Sequence, residues 1–245
     1  MKSPKRFLKS AAAIFIVALF LVGCQSLPEG FRGAVEGMLA GNQELSLETI
    51  VAGLKEALAV GTQNTVASTT QKGGYLNNPS LRIPMPEKLE GLASTLRKIG
   101  LGSQVDLFET KMNESAELAA KEAAPVFMDA IKSMTFDDAK KILNGGDTSA
   151  TDFFREKTDA TLKAKYQPIV TTKMQELGAV QLYQNLEQQY NRIPLVPKAS
   201  VSMEDYVTEK SLDGLFFILA QEEKKIRENP AARTTALLKK VFRKQ

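Results

Sequence analysis

From residue 46 onward, apolar residues recur every three to four positions through most of the chain, the spacing of helices that bury one face. Ser46 is a good N-cap, and Leu47, Ile50, Val51, Leu54 and Leu58 follow it on one stripe. The helix they predict runs past Gly61 towards Thr70 and stops at Gly73-Gly74. Residues 75–86 read as extended, with a turn at Asn77-Asn78-Pro79 and residues 83 and 85 pushed out of the helical region by the prolines that follow them. Pro86 suits the first position of a second helix carrying Leu89, Leu92, Leu96 and Ile99, closed by Gly100 and Gly102.

Ser103 opens a long helix with Val105, Phe108, Met112, Ala116, Ala119 and Ala123 on one stripe. Pro125 should kink or break it, and Val126, Phe127, Ala130, Ile131 and Met134 carry the apolar face onward. Thr135 caps the next helix, with Asp137 and Asp138 in its first turn, and Asn144-Gly145-Gly146 ends it. A helix from about Thr148 holds Phe153, Phe154, Leu162 and Tyr166, and Pro168 begins or kinks the segment after it. Gly178 precedes a helix with Val180, Leu182, Tyr183, Leu186 and Tyr190. Residues 191–201 form a loop. Ser202 opens a helix to Glu228 with Tyr206, Val207, Leu215, Phe216 and Leu219 as its core, and Asn229-Pro230 starts a final helix, Ala231 to about Phe242. No stretch alternates with period two for long enough to make a strand, and there is no internal repeat. The expected fold is all-α, an irregular bundle of about eight or nine helices in a single domain over residues 46–245.

The first 45 residues follow a different pattern. Lys2, Lys5, Arg6 and Lys9 precede an unbroken apolar run from Ala11 to Val22, which ends Leu21-Val22-Gly23-Cys24. The run has the length of a signal-peptide core and falls short of the roughly 20 residues that span a bilayer. The ending resembles a lipobox, in which a small residue admits the peptidase and the thiol takes a diacylglycerol thioether. Residues 1–23 therefore read as a cleaved signal peptide. Residues 24–45 read as a lipidated Cys24 followed by a flexible tether interrupted by Gly30, Gly33, Gly37 and Gly41. Cys24 is the chain's one cysteine, so no intramolecular disulfide is available.

Composition alters this picture in two ways. The leader holds four of the 32 Lys and Arg residues and none of the 28 Asp and Glu residues, so the mature chain is balanced in charge. The basic excess is thus no argument for a nucleic-acid partner, and attachment falls to acyl chains. The chain also has no His and no Trp. That removes Ser-His-Asp and Cys-His nucleophile systems, zinc sites of the His or Cys kind and the Glu-x-x-His di-iron motif. There is no phosphate loop and no dinucleotide fingerprint. No cofactor is implied.

The remaining candidates are carboxylates, amides and cations. Asn113 and Glu117 lie one turn apart beside the apolar stripe; Asp129, Asp138 and Asp213 are further acids, all open to acid–base work or to structural hydrogen bonding. Asn144, Asp147 and Asp152 surround a glycine turn but do not match an EF-hand loop, and no metal is assigned to them. Arg227 and Arg233 flank Asn229-Pro230. They either clamp an anion or brace the junction, Arg227 through an i,i+4 pair with Glu223. Lys239, Lys240, Arg243 and Lys244 make a basic terminus that suits anionic lipid or the last helix's dipole.

Several strings carry a resemblance. They are Gly53-Leu54-Lys55-Glu56-Ala57-Leu58, Asn78-Pro79 with Arg82-Ile83-Pro84-Met85-Pro86, Met112-Asn113 with Glu117, and Ala130-Ile131 through Met134-Thr135 to Asp138-Ala139. Tyr206-Val207-Thr208, Asp213-Gly214-Leu215 and Ile226-Arg227 through Pro230-Ala231-Ala232-Arg233-Thr234-Thr235 complete the set. Over about residues 46 to 242 the chain resembles the bacterial envelope proteins catalogued as domain of unknown function 4197. The resemblance implies an exported helical domain and brings no activity. The expected function is an envelope lipoprotein on the periplasmic face of the outer membrane, since Gln25 follows Cys24 where Asp would signal retention at the inner membrane. It would act as a non-enzymatic binding or scaffolding module. Its partners would be the membrane, through its acyl chains, and an envelope protein or lipid. The alternatives are a carrier of a lipid or other hydrophobic ligand, and a carboxylate-based enzyme acting on envelope polymers. With Ser in place of Cys24, the chain should accumulate as an unprocessed precursor that takes up no labelled palmitate; normal labelling would refute the lipidation.

Overall fold

The computed structural model describes residues 46–194, 201–229 and 239. The leader, Cys24, the tether, and the final helix expected from Ala231 to Phe242 lie outside the described residues. Among those residues there are eight α-helices and two 3-10 turns, with no strand. From Ser46 they belong to one unit.

Three of the eight described helices start at a residue whose side chain accepts from an orphan backbone donor: Ser46, Thr135 and Ser202. In α1 (Leu47–Thr70) the Ser46 hydroxyl accepts from the Thr49 N–H. The buried face of α1 changes character along its length, from Leu54, Ala57 and Leu58 to Gly61, Thr62, Thr65 and Thr69. Thr65 and Thr69 donate their hydroxyls to the carbonyls one turn earlier, at 2.8 and 2.9 Å, whereas the buried Thr62 hydroxyl has no partner among the described residues. Pro86 stands just before a 3-10 turn, Glu87–Leu89, which leads into α2 (Glu90–Lys98). Ile99, expected on the buried stripe of α2, instead follows the helix and is 55 % exposed, because Gly100 with φ +92° turns the chain there.

The proline at 125 acts as its chemistry requires. The regular ladder of α3 (Gly102–Ala119) gives way to a 3-10 turn at Ala120–Glu122, and α4 (Ala123–Ser133) starts with Pro125 in its first turn, where a missing N–H costs least. Val105, Phe108, Met112, Ala116 and Ala119 are fully buried, as their spacing predicts. In α5 (Phe136–Asn144) Thr135 and Asp138 form a reciprocal capping box. Pro168 begins no new segment: α6 runs on through it, from Ser149 to Glu176. Leu162, Tyr166, Val170 and Met174 keep their four-residue spacing across it and are fully buried. Pro168 and Ala164, whose carbonyl loses its donor, are both exposed, so water can replace the missing bond. Gly178, with φ +74°, separates α6 from α7 (Ala179–Asn191).

The last described helix, α8 (Met203–Glu228), is capped by Ser202 and organises the bundle. It lies antiparallel to α6, as the pairs Gln167 with Asp205, Lys163 with Glu209 and Arg155 with Asp213 show. It also packs on α1 and α3. The Phe127 ring lies 5.1 Å from that of Phe154 and 5.9 Å from that of Phe216, joining α4, α6 and α8. Tyr206, expected in the core, is only half buried and donates its hydroxyl to the Pro84 carbonyl at 3.1 Å.

At Gly214 a Cβ would stand 2.9 Å from Cε1 of the Tyr75 ring and 3.4 Å from Leu81. Gly214→Ala should therefore lower stability by about 1–3 kcal/mol. Gly91→Ala, on α2 with nothing within 4 Å, should be neutral or stabilising by up to about 1 kcal/mol. Urea denaturation of both variants checks the contrast.

Candidate functional site

Residues 71–86 turn inward across α3 and α8, and an inward-turned loop must find partners for its main-chain groups. Two side chains one turn apart on α3, Asn113 and Glu117, supply them, and Glu109 a turn earlier holds a loop side chain; each of the three is under a tenth exposed. Glu117 accepts from the N–H groups of Gly73 and Tyr75, both at 3.2 Å. Asn113 accepts from the Ile83 N–H at 2.9 Å and donates to the Ile83 carbonyl at 2.9 Å and the Glu109 carbonyl at 2.7 Å. Its amide thus meets both main-chain groups of Ile83, as a neighbouring strand would. Glu109 takes the Arg82 guanidinium at 2.7 Å and lies 3.6 Å from that of Arg97.

Tyr75 extends this attachment to α8. Its ring is fully buried, and its hydroxyl donates to the Ser211 carbonyl at 2.7 Å. Burial, and then the nearby Glu117 carboxylate, hold its phenol well above the ordinary tyrosine range. The hydroxyl therefore stays a donor at any physiological pH.

Beside this loop of residues 71–86, the strap, lies an open groove of about 340 Å³, with Ser80 to Pro84 on one wall and Tyr206, Lys210, Asp213, Gly214 and Phe217 on the other. Phe217 is 42 % exposed. Asp213 is exposed too, 3.8 Å from Arg155 and 3.7 Å from Lys210. A second groove, about 440 Å³, runs between α4 and α6 past Asp129, Asp138, Phe153, Lys157 and Lys165. Asp129 pairs with Lys132 at 3.3 Å. Asp138 is held below the usual carboxylate range by hydrogen bonds from the Thr135 hydroxyl and N–H.

A separate polar cluster joins α5, α6 and α8. Glu223 accepts from the N–H groups of Ala150 and Thr151 and from the Thr151 hydroxyl, each at 2.9 Å, and so caps the first turn of α6 from a distant helix. Arg227 binds Glu223 at 2.8 Å and also donates to the Ile142 carbonyl in the last turn of α5 at 2.9 Å. Glu223 and Arg227 are the i,i+4 pair the sequence offered. Their attachment to two helix ends was not legible there.

The structure therefore brings Asn113 and Glu117 together on the strap and places Asp213 across the adjoining groove. Arg227 is at the α5–α6 junction, and Arg233 lies outside the described residues, as do Lys240, Arg243 and Lys244. Asp152 accepts from the Thr148 hydroxyl at 3.1 Å. Among the described residues no three His, Cys, Asp or Glu side chains are grouped to hold a metal, and no helix is long and apolar enough to cross a membrane. Glu109 and Phe217 escaped the sequence reading, and Arg82 entered it only in a string that carries the resemblance. For Glu109 a signal existed: it continues the four-residue spacing of Asn113 and Glu117.

The family model described as "Protein of unknown function (DUF4197)" matches residues 44–243. The chain belongs to this family. No curated protein and no solved structure matches it. Family membership covers both the strap and the α5–α6 junction, so each is part of the domain that the DUF4197 match defines.

Glu117→Gln retains the shape of the side chain but replaces one of its two acceptor oxygens with an NH2 donor, which then faces the N–H of Gly73 or Tyr75. Unfolding in urea should show a loss of about 1–3 kcal/mol. An unchanged midpoint would mean that the carboxylate is not committed to the strap.

Proposed function

We propose that this DUF4197 member is an envelope lipoprotein, held on the periplasmic face of the outer membrane by acyl chains on Cys24, whose helical domain binds or scaffolds another envelope protein. Stable anchoring takes more than one acyl chain, which a lipidated Cys supplies. The observation that carries the binding reading is the groove beside the strap. An exposed aromatic, Phe217, stands among Arg82, Lys210 and Asp213, which is the anatomy of a protein interface with an apolar anchor and a charged rim. One wall is backbone that Asn113 holds at both main-chain groups of Ile83, so the surface is set before a partner arrives.

The disposition of the acids favours recognition over acid–base chemistry. Glu117 and Glu223 hold main-chain N–H groups and Asp213 is paired with Arg155, while Asp129 and Asp138, which border one groove, are each engaged by a neighbour on the chain, Lys132 and Thr135.

A photo-crosslinking residue in place of Phe217 should give a discrete protein adduct in intact envelopes. The same residue in place of Glu176, at the far end of α6, should not. Equal or absent adducts at the two positions would sink the reading.

A further inference from the structure

The groove beside the strap has walls of two kinds. One is the extended run Ser80 to Pro84, in which Leu81 and Ile83 are buried while Arg82 and Pro84 are exposed. That alternation is the pattern of a strand, and a partner's extended segment pairs with an exposed strand edge. Here no main-chain donor is left for such pairing. The N–H of Ser80 goes to the Asn78 side-chain oxygen at 3.0 Å, and those of Leu81 and Arg82 go to the Asn78 carbonyl at 3.0 and 2.8 Å. The Ile83 N–H is held by Asn113, and Pro84 has none. The Pro84 carbonyl is taken by the Tyr206 hydroxyl.

The other wall is one face of α8, where Tyr206, Lys210, Asp213 and Phe217 follow at steps of three and four. Its main-chain groups are closed within the helix. An extended partner laid between these walls would bring carbonyls that meet no main-chain donor. A helical partner pairs its backbone internally, so only its side chains have to fit. The ridge from Tyr206 to Phe217 is about 16 Å long, or three helical turns. A small ligand would stay largely in water in so open a groove, whereas ligand pockets bury most of their occupant.

The side chains on the rim indicate what such a helix carries. Phe217 is exposed and suits an apolar residue. Arg82 and Lys210 are each about half exposed, and with Arg155 they share two acids, Asp213 and the buried Glu109. That excess of cation suits an acidic residue. Resting on the reading that this groove binds an envelope protein, we infer that the occupant is an amphipathic helix of that partner. It lies along α8 with apolar side chains on Phe217 and an acidic side chain beside Lys210 and Arg82.

The test uses the full-length chain in intact envelopes, with a photo-crosslinking residue in place of Phe217 in one experiment and of Lys210 in another. The adducts are digested and the crosslinked sites on the partner located. The two positions are about 10 Å apart along α8. On a helical partner they should mark sites about seven residues apart, and on an extended one about three. With the crosslinker in place of Phe217, Lys210→Glu should lower the adduct yield several-fold and Lys210→Arg should leave it unchanged. Sites about three residues apart, or an undiminished yield with Lys210→Glu, would overturn the acidic amphipathic helix while leaving the groove a protein-binding surface. Adducts no stronger at Phe217 than at Glu176 would instead remove the binding reading, and the helix with it.

Discussion

The structure depends on one problem and its solution: a loop of the chain is turned into the interior, and its backbone must be hydrogen-bonded there. Buried main-chain groups without partners cost about 1–3 kcal/mol each. Residues 71–86 lack the regular ladder that would meet this need and include prolines at 79, 84 and 86 that cannot donate. On α3, Asn113 and Glu117 provide the missing partners, and Glu109 in the same stripe holds the Arg82 side chain. Other features follow from that placement. Tyr75 is carried inward and reaches Ser211, its ring presses on α8, and position 214 has to be glycine for the two to approach. The charged members of the stripe are not evidence of great stability, since removing ions from water is costly. What they provide is a single register for the loop, because only one alignment satisfies Gly73, Tyr75 and Ile83 together.

The same logic recurs at the α5–α6 junction. Helix ends leave backbone groups unmet, and the turn between these helices places a C-terminal carbonyl and an N-terminal pair of N–H groups close together. Thr148 stands at the N-cap of α6 but its side chain makes no capping bond. One i,i+4 pair on α8 serves both ends, Arg227 the carbonyl of Ile142 and Glu223 the amides of Ala150 and Thr151. Each charge also matches the sign of the dipole it faces. Helix α8 therefore fixes the strap through Ser211 and Gly214, and the junction through Glu223 and Arg227. Its burial on several sides follows from these roles.

Features set by near neighbours in sequence were the legible ones. Ser46, Thr135 and Ser202 were identifiable as caps because a cap bonds within three residues. Features set by distant partners were not. Whether Pro168 begins a new segment could not be decided locally, because the deciding facts are tertiary: its face is exposed and the opposite face is packed. Ile99 and Tyr206 have apolar or aromatic character that fits either a core or a rim, and only the turn at Gly100 and the carbonyl of Pro84 decide between them. Asn113 and Glu117 could be picked out by spacing, yet a carboxylate one turn from an amide beside an apolar stripe looks alike whether it works on a substrate or holds a loop. The partners that distinguish these, Ile83, Tyr75 and Gly73, lie some thirty to forty-four positions earlier.

The strap also changes how the polar interior relates to recognition. Asn113 does not line the groove beside Phe217, but it fixes the backbone of Ile83, which does. Arg82 reaches the same groove while its guanidinium is held by Glu109 beneath. The buried stripe on α3 and the open groove are thus two faces of one loop, and the loop's side chains are ordered from below. A change at Asn113 or Glu109 would be felt at the surface without either residue touching a partner. In this chain, therefore, Glu109 and Asn113 act by positioning a loop that forms one wall of the open groove. The residues that would make contact, such as Phe217 and Lys210, lie among the exposed positions that a search for buried or paired chemistry passes over.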